Sequence, residues 1–197
     1  HYFIFTAIFL TEGSPINIKN MIWLKRLGIV FLVIYLLICL GLYFSQEKLL
    51  FRPYQLPADH TFRVGEEIEI PVSDGISMNC LWLKRNNPKG VILYLHGNRG
   101  SNRRCIGQAL SAFDGTGYDI FMPDYRSYGK SDSPMKSEAQ FYSDAQAVYD
   151  FLKSKYDESE IVIVGYSMGT AAATYLAAEN KPKELFLVSP FKSIVDL

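Results

Sequence analysis

The chain has 197 residues, 49% of them hydrophobic, with 20 basic and 20 acidic side chains and a formal net charge of zero. That length allows one domain of ordinary size plus an extra segment, and the charge balance lacks the basic excess of a nucleic-acid-binding protein, so no nucleic-acid partner is expected. Cys39, Cys80 and Cys105 are odd in number and scattered, which excludes reading a disulfide framework or metal spacing from them. Cys39 lies in an apolar run, and the other two read as small buried hydrophobes.

Residues 1–20 read as an upstream or disordered segment. The sequence begins at His1, and Met21 stands just before Lys25-Arg26 as a natural start. Residues 2–10 are apolar but too short to span a bilayer; a second membrane-inserted segment is the alternative. Residues 27–44, LGIVFLVIYLLICLGLYF, carry no charge. As a helix they span about 27 Å, against a hydrocarbon thickness of about 30 Å. Trp23 sits at one end and Tyr43-Phe44 at the other, where interfacial aromatics belong. A cleaved signal peptide is the rival, but the positions where a small-x-small cleavage site would lie carry Tyr43 and Phe44. Residues 21–45 are therefore expected to be a single-pass transmembrane anchor in the lipid bilayer. Lys25 and Arg26 favour a cytoplasmic N-terminus and a domain on the outer side, although Lys48 and Arg52 follow closely. Residues 46–65, with Pro53 and Pro57, read as a juxtamembrane linker.

From residue 66 to 197 strand and helix patterns alternate. Residues 67–70 alternate polar and apolar, Asp74-Gly75 makes a turn, and 78–83 return as a second strand, so a hairpin opens the domain. Residues 91–95, VILYL, form an apolar run suited to a strand covered on both faces. A helix follows over about 103–113, closed by Gly115 and Gly117, and 119–122 are the next strand. Ser137-x-x-Gln140 matches a capping box; beyond it Phe141, Ala145, Val148 and Leu152 recur at helical spacing. The last strand is 185–188. The expected class is α/β, a mostly parallel sheet with flanking helices and right-handed crossovers.

Between these lies Ile161-Val162-Ile163-Val164-Gly165-Tyr166-Ser167-Met168-Gly169. A β-branched run flowing into Gly-x-Ser-x-Gly is the sequence form of a nucleophile elbow, a tight strand-to-helix turn that exposes a serine hydroxyl. The bare motif occurs by chance in roughly one chain in fifteen of this length. Its context is rarer, because an alanine-rich helix former of small cross-section follows at residues 170–178. An ordinary turn with an unreactive serine is the alternative. A serine nucleophile on such a turn takes a base that follows it in chain order, yet His1, His60 and His96 all precede Ser167.

With these residues in order the chain resembles the α/β-hydrolase superfamily, and within it the membrane-anchored, serine-aminopeptidase-like branch. The resemblance runs over residues 46–197 and rests on QEKLLF with Pro53, Asp74-Gly75, His96-Gly97-Asn98, Tyr125-Arg126-Ser127-Tyr128-Gly129-Lys130-Ser131, the elbow, and Ser189-Pro190-Phe191. The family usually carries glycine where Ser127 stands. It also carries an aspartate and a histidine on later strands; these have no counterpart here, so the reading is of an incomplete copy, with the last strands and helices missing from a partial domain.

The resemblance implies Ser167 as the nucleophile that forms an acyl-enzyme with an ester, thioester or amide. It assigns the oxyanion hole to the backbone N–H groups of Asn98 and Met168. Gly165, Gly169 and Gly97 support the turn and loop, and His96 is expected to shape the oxyanion loop rather than act as base. Asp124 reads as a loop-fixing carboxylate, with Asp196 a candidate acid in the loop after the last strand. Tyr166 either walls the acyl pocket or packs. Arg99, Arg103 and Arg104 meet either solvent and lipid phosphates or an anionic substrate group. The substrate is then a small-molecule, lipid or peptide acyl compound. The chemistry needs no metal or organic cofactor, so none is expected. The alternative function is a truncated, non-catalytic hydrolase-like protein.

Overall fold

The structure is a computed structural model describing residues 18–50, 53–131 and 133–190; the readings made for residues 1–17 and Asp196 lie outside them. The chain divides into two units, one ending at Leu49 and the other beginning at Leu50. In the first, α1 runs from Ile18 to Leu50, and its segment Met21–Ser45 is long and apolar enough to cross a membrane. The helix is longer than the expected span at both ends. Residues 18–20 belong to it rather than to an upstream segment, and residues 46–50 continue it rather than opening a linker. The reason is local: no proline stands between Ile18 and Pro53, and Gln46-Glu47-Lys48-Leu49-Leu50 are all good helix formers.

The second unit is built on a six-stranded sheet in the order β1-β2-β4-β3-β5-β6, comprising β1 (Glu66–Pro71), β2 (Ser77–Leu83), β3 (Val91–Leu95), β4 (Asp119–Pro123), β5 (Ile161–Tyr166) and β6 (Glu184–Val188). The β1–β2 hairpin is antiparallel and joins β4 antiparallel; β4, β3, β5 and β6 are mutually parallel. Asp74 turns the hairpin at φ +65°, as the Asp-Gly pair leads one to expect. Three helices join the strands: α2 (Asn102–Phe113), α3 (Glu138–Lys153) and α4 (Gly169–Glu179).

Successive strand side chains point to opposite faces, and both faces are covered. Val91, Leu93 and Leu95 of β3 join Ile161 and Ile163 of β5 against Phe141, Ala145 and Val148 of α3 and Ala172, Ala173 and Leu176 of α4. Ile92, Tyr94, Val162 and Val164 turn the other way, onto Ala109, Ile106 and Leu110 of α2. Each such aliphatic side chain, once fully buried, contributes roughly 1.5–3 kcal/mol, so these layers hold the parallel strands in fixed register. Half of the capping box forms: the Ser137 hydroxyl accepts the Gln140 N–H at 3.1 Å, while Gln140 Oε1 reaches past the cap residue to accept the Lys136 N–H at 2.9 Å. The segment after α1 docks on the sheet edge. Gln55 bridges Gly129, Gly129 N donates to Tyr54 O, and Leu56 N donates to Gly129 O.

Candidate active site

The elbow is a consequence of two close approaches. At the end of β5 the chain must turn at once into α4 while the two pack together. A Cβ on Gly165 would meet Ala173 Cβ and Gly169 O, each at 2.7 Å, and one on Gly169 would meet Leu95 O at 2.1 Å. Only glycine fits at either place. Between them Ser167 is held at φ +49°, a left-handed conformation that a serine adopts at a cost. Its N–H donates to Val188 O at 2.9 Å, and its carbonyl accepts the Thr170 N–H and hydroxyl at 2.8 and 2.6 Å. The serine backbone is thus tied both to β6 and to the first turn of α4.

The second half of the site comes from β3. Because β3 and β5 are parallel with Leu95 opposite Gly165, the loops that leave them, His96-Gly97-Asn98 and Tyr166-Ser167-Met168, emerge side by side. A Cβ built on Gly97 would lie 3.2 Å from Ser167 Cβ. The Asn98 N–H belongs to the same planar peptide as the Gly97 carbonyl and points away from it. That carbonyl accepts the Gly100 N–H at 2.9 Å and faces His96 Nδ1 at 2.8 Å. Two contacts on one oxygen therefore set the direction of the Asn98 N–H. On the far side, the Tyr128 hydroxyl donates to Asn98 O at 2.9 Å.

His96 is fully buried between the rings of Tyr125 and Tyr128, 4.4 and 5.3 Å away. Its Nε2 lies 3.4 Å from Asp124 Oδ1. That same Oδ1 accepts the Asn102 N–H at 2.7 Å at the start of α2, so Asp124 caps the helix that begins just after the loop. Ser131 Oγ donates to Asp124 O and accepts the Asn79 N–H, and the Tyr125 hydroxyl donates to His96 O at 2.9 Å. Burial pushes the Tyr125 phenol well up, and neighbouring Tyr128 adds to the shift; it stays a neutral donor. Burial, reinforced by the Asp124 charge, does the same to the Cys80 thiol. The two nitrogens of the His96 ring face Gly97 O and Asp124, and among the described residues no hydrogen bond joins His96 to Ser167.

Ser167, Met168, Gly165, Gly169, His96, Gly97 and Asn98 are therefore brought together at one edge of the sheet. Tyr166 lies against the His96-Gly97-Asn98 loop, where a Cβ on Gly97 would be 3.4 Å from its ring. Tyr125, Tyr128, Gly100 and Asn102 support this loop without having been singled out from the sequence for that work. Tyr125 and Tyr128 carried one signal, membership of the Tyr-Arg-Ser-Tyr-Gly segment, and Gly100 and Asn102 lay outside both quoted segments. Ser127, standing where the family usually has glycine, is at φ +69°, which accounts for that preference. Beside it Arg126 is buried in a two-pronged pair with Asp144, at 2.6 and 3.1 Å. A cleft of about 470 Å³ lined by Glu67, Glu69, Asn79 and Lys130 lies on the β1–β2 side, and Ser167 is not in its wall. Among the described residues no cluster of three or more His, Cys, Asp and Glu could hold a metal ion.

A family model described as "alpha/beta hydrolase fold" matches residues 90–195. Lysophosphatidylserine lipase ABHD12 of Xenopus tropicalis is 39% identical over 113 residues, which is 53% of this chain and 28% of that protein. Protein bem46 of Schizosaccharomyces pombe is 30% identical over 177 residues, 82% of this chain and 59% of that protein. The chain thus spans between about a quarter and three fifths of the length of these relatives. Among solved structures, a Pyrococcus furiosus esterase superposes with a TM-score of 0.51 at 23% identity, covering 67% of this chain and 52% of that one; the likeness is one of fold.

Proposed function

This chain belongs to the α/β-hydrolase family, and on that premise we propose that it is a membrane-anchored serine hydrolase acting on an acyl ester, thioester or amide. The observation that carries the reading is Ser167, held at φ +49° on the turn between β5 and α4 and against Gly97 of the neighbouring loop. A left-handed serine costs on the order of 1 kcal/mol; Ser127 shares that backbone, and what sets Ser167 apart is its place between two glycines on a strand-to-helix turn.

In this reading Ser167 Oγ attacks the substrate carbonyl carbon, a new C–O bond forms, and the leaving group departs with the proton that a base removes from the hydroxyl. The tetrahedral oxyanion is met by the N–H groups of Asn98 and Met168. Met168 immediately precedes α4, whose N-terminal dipole end favours developing negative charge. Asn98 is aimed through the Gly97 carbonyl by His96 and Gly100. Among the described residues none is assigned the role of base: His96 is turned toward Gly97 O and Asp124. The names of the relatives, a lysophosphatidylserine lipase and an esterase, favour a lipid or other ester over a peptide. The apolar helix Met21–Ser45 supports anchoring in a bilayer, and Lys25-Arg26 before it support a cytoplasmic N-terminus with the hydrolase fold outside.

Among the described residues no hydrogen bond joins a histidine to Ser167, and this favours a second reading, a non-catalytic protein that uses the hydrolase fold for binding. A fluorophosphonate probe separates the two. The chain in detergent should be labelled slowly and stoichiometrically at one site, and Ser167→Ala should abolish the label. Labelling that persists in Ser167→Ala, or that no native sample shows above a denatured one, would favour the binding protein. Carbonate washing of membranes tests the anchor: the protein should stay with the pellet.

A further inference from the structure

Arg99, Arg103 and Arg104 are exposed, and none of them has an ion-pair partner among the described residues. Arg103 and Arg104 are nevertheless held in place. Arg103 Nη1 donates to the Tyr54 hydroxyl at 3.2 Å, Arg104 lies over the Tyr54 ring at 4.7 Å, and Arg104 Nη1 reaches Arg99 O at 3.4 Å. Tyr54 is itself tied to the sheet edge through the carbonyl that accepts Gly129 N. Arg99 stands exposed in the loop just before α2, and two guanidinium groups without an ion-pair partner among the described residues are thus fixed at the start of that helix. That is the end at which a helix favours negative charge, and no acidic residue occupies its first turn. The arrangement works against the helix dipole, and apart from the Arg104–Tyr54 ring contact these charges serve no contact among the described residues that needs them. Asp124, the anion at this helix end among the described residues, is buried beneath it on the Asn102 N–H and leaves the outward face positive.

The patch also borders the candidate site. Arg99 directly follows Asn98, and Gly97 touches Ser167. In sequence, Tyr54 comes four residues after α1 ends. We propose that Arg103 and Arg104, braced on Tyr54, form with the exposed Arg99 a docking surface for the phosphate groups of anionic membrane lipids, which turns the edge carrying Ser167 toward the bilayer. Guanidinium forks suit phosphate oxygens in geometry as well as charge, and several cations close to an anionic leaflet act additively. The inference rests on the membrane reading above, and its test separates the two.

The full chain is placed in nanodiscs of phosphatidylcholine alone or of phosphatidylcholine with 30% phosphatidylserine, and arginine modification by phenylglyoxal is read peptide by peptide. Modification of Arg99, Arg103 and Arg104 should slow by about tenfold or more in the anionic discs, on the scale of the attraction of one or two cations to such a surface. Arg63 and Arg85 should react alike in both, and 0.5 M salt should remove the difference. Equal rates in the two kinds of disc would overturn the proposal. So would equal protection in neutral discs by 10 mM inorganic phosphate, which would make the patch a site for a free anion. If the chain fails to elute with neutral discs, the anchor reading fails, and the anionic discs still decide the patch: elution with them and protection support it, neither refutes it. Converting the three arginines to glutamine should abolish elution or protection that depends on the anionic lipid, with the far-ultraviolet spectrum unchanged.

Discussion

The backbones of α4 and β3 touch where Gly169 meets Leu95: a methyl group on Gly169 would lie 2.1 Å from the Leu95 carbonyl oxygen. A side chain there has to push a helix off a central strand, and neither element can give. Gly169→Ala should therefore destabilise the fold by about 2–3 kcal/mol, near the upper end for an overpacked site. Thermal denaturation of the chain in detergent checks it; an unchanged midpoint would contradict the packing described.

Ser127 and Ser167 share a left-handed backbone, at φ +69° and +49°, and glycine at either place should relax it. Ser127→Gly is expected to stabilise the protein by about 1 kcal/mol, raising the midpoint by roughly 2–4 °C for a chain of this size. Ser167→Gly should raise it similarly while losing the fluorophosphonate label. A midpoint that falls in both variants would mean that the serine side chains contribute more than their backbone strain costs.

Arg126 and Asp144 are both buried and paired through two hydrogen bonds. The hydrogen bond from Asp144 is the main cause of a raised Arg126 pKa, so the guanidinium stays charged whatever the pH. Removing the carboxylate strands that charge in the core. Asp144→Ala should cost about 3–5 kcal/mol, whereas Arg126→Met combined with Asp144→Leu should recover most of it. Denaturant midpoints of the wild type and of the two variants decide the matter.

Burial raises the phenol pKa of Tyr94, Tyr125, Tyr128, Tyr149 and Tyr156, and pushes that of Tyr142 up to about 12 with help from Glu138. In the unfolded chain these groups titrate near 10. Above that pH the unfolded state binds fewer protons than the folded one, so stability falls as pH rises. It is fully present below about pH 10 and is lost progressively through pH 12. Urea midpoints at pH 8, 9.5, 10.5 and 11 should decline only in the last two; a flat profile would speak against the buried phenols.

Because no described residue faces Ser167 as a base, residues 1–197 by themselves should turn over p-nitrophenyl acetate poorly, with no more than the ~10³–10⁴ over water that an oxyanion hole and binding supply without one. His96→Gln should leave that residual rate within about tenfold, because His96 acts on the oxyanion loop and not on the hydroxyl. Rapid turnover that disappears in a folded His96→Gln protein would instead make His96 the base.

Much of this molecule is legible in its sequence because much of it is local. The period of two at residues 67–70, the apolar run 91–95, the stripe Phe141-Ala145-Val148-Leu152 and the Ser137-Gln140 cap each express a regular backbone geometry over a few residues. So does the elbow, whose two glycines answer to a turn nine residues of sequence can describe. The continuation of α1 through residues 46–50 was equally local, and two nearby prolines drew attention from helix formers.

What the tertiary structure alone decided is everything that depends on partners far apart in the chain. Strand order placed β4 between β2 and β3 and set β5 beside β3, and so brought Gly97 to Ser167. The same arrangement put Asp124 under His96 and at the start of α2, paired Arg126 with Asp144, and seated Tyr54 beneath two arginines almost fifty residues away. No periodicity carries such contacts, because a side chain's partner is chosen by the packing of whole layers and not by its neighbours in sequence.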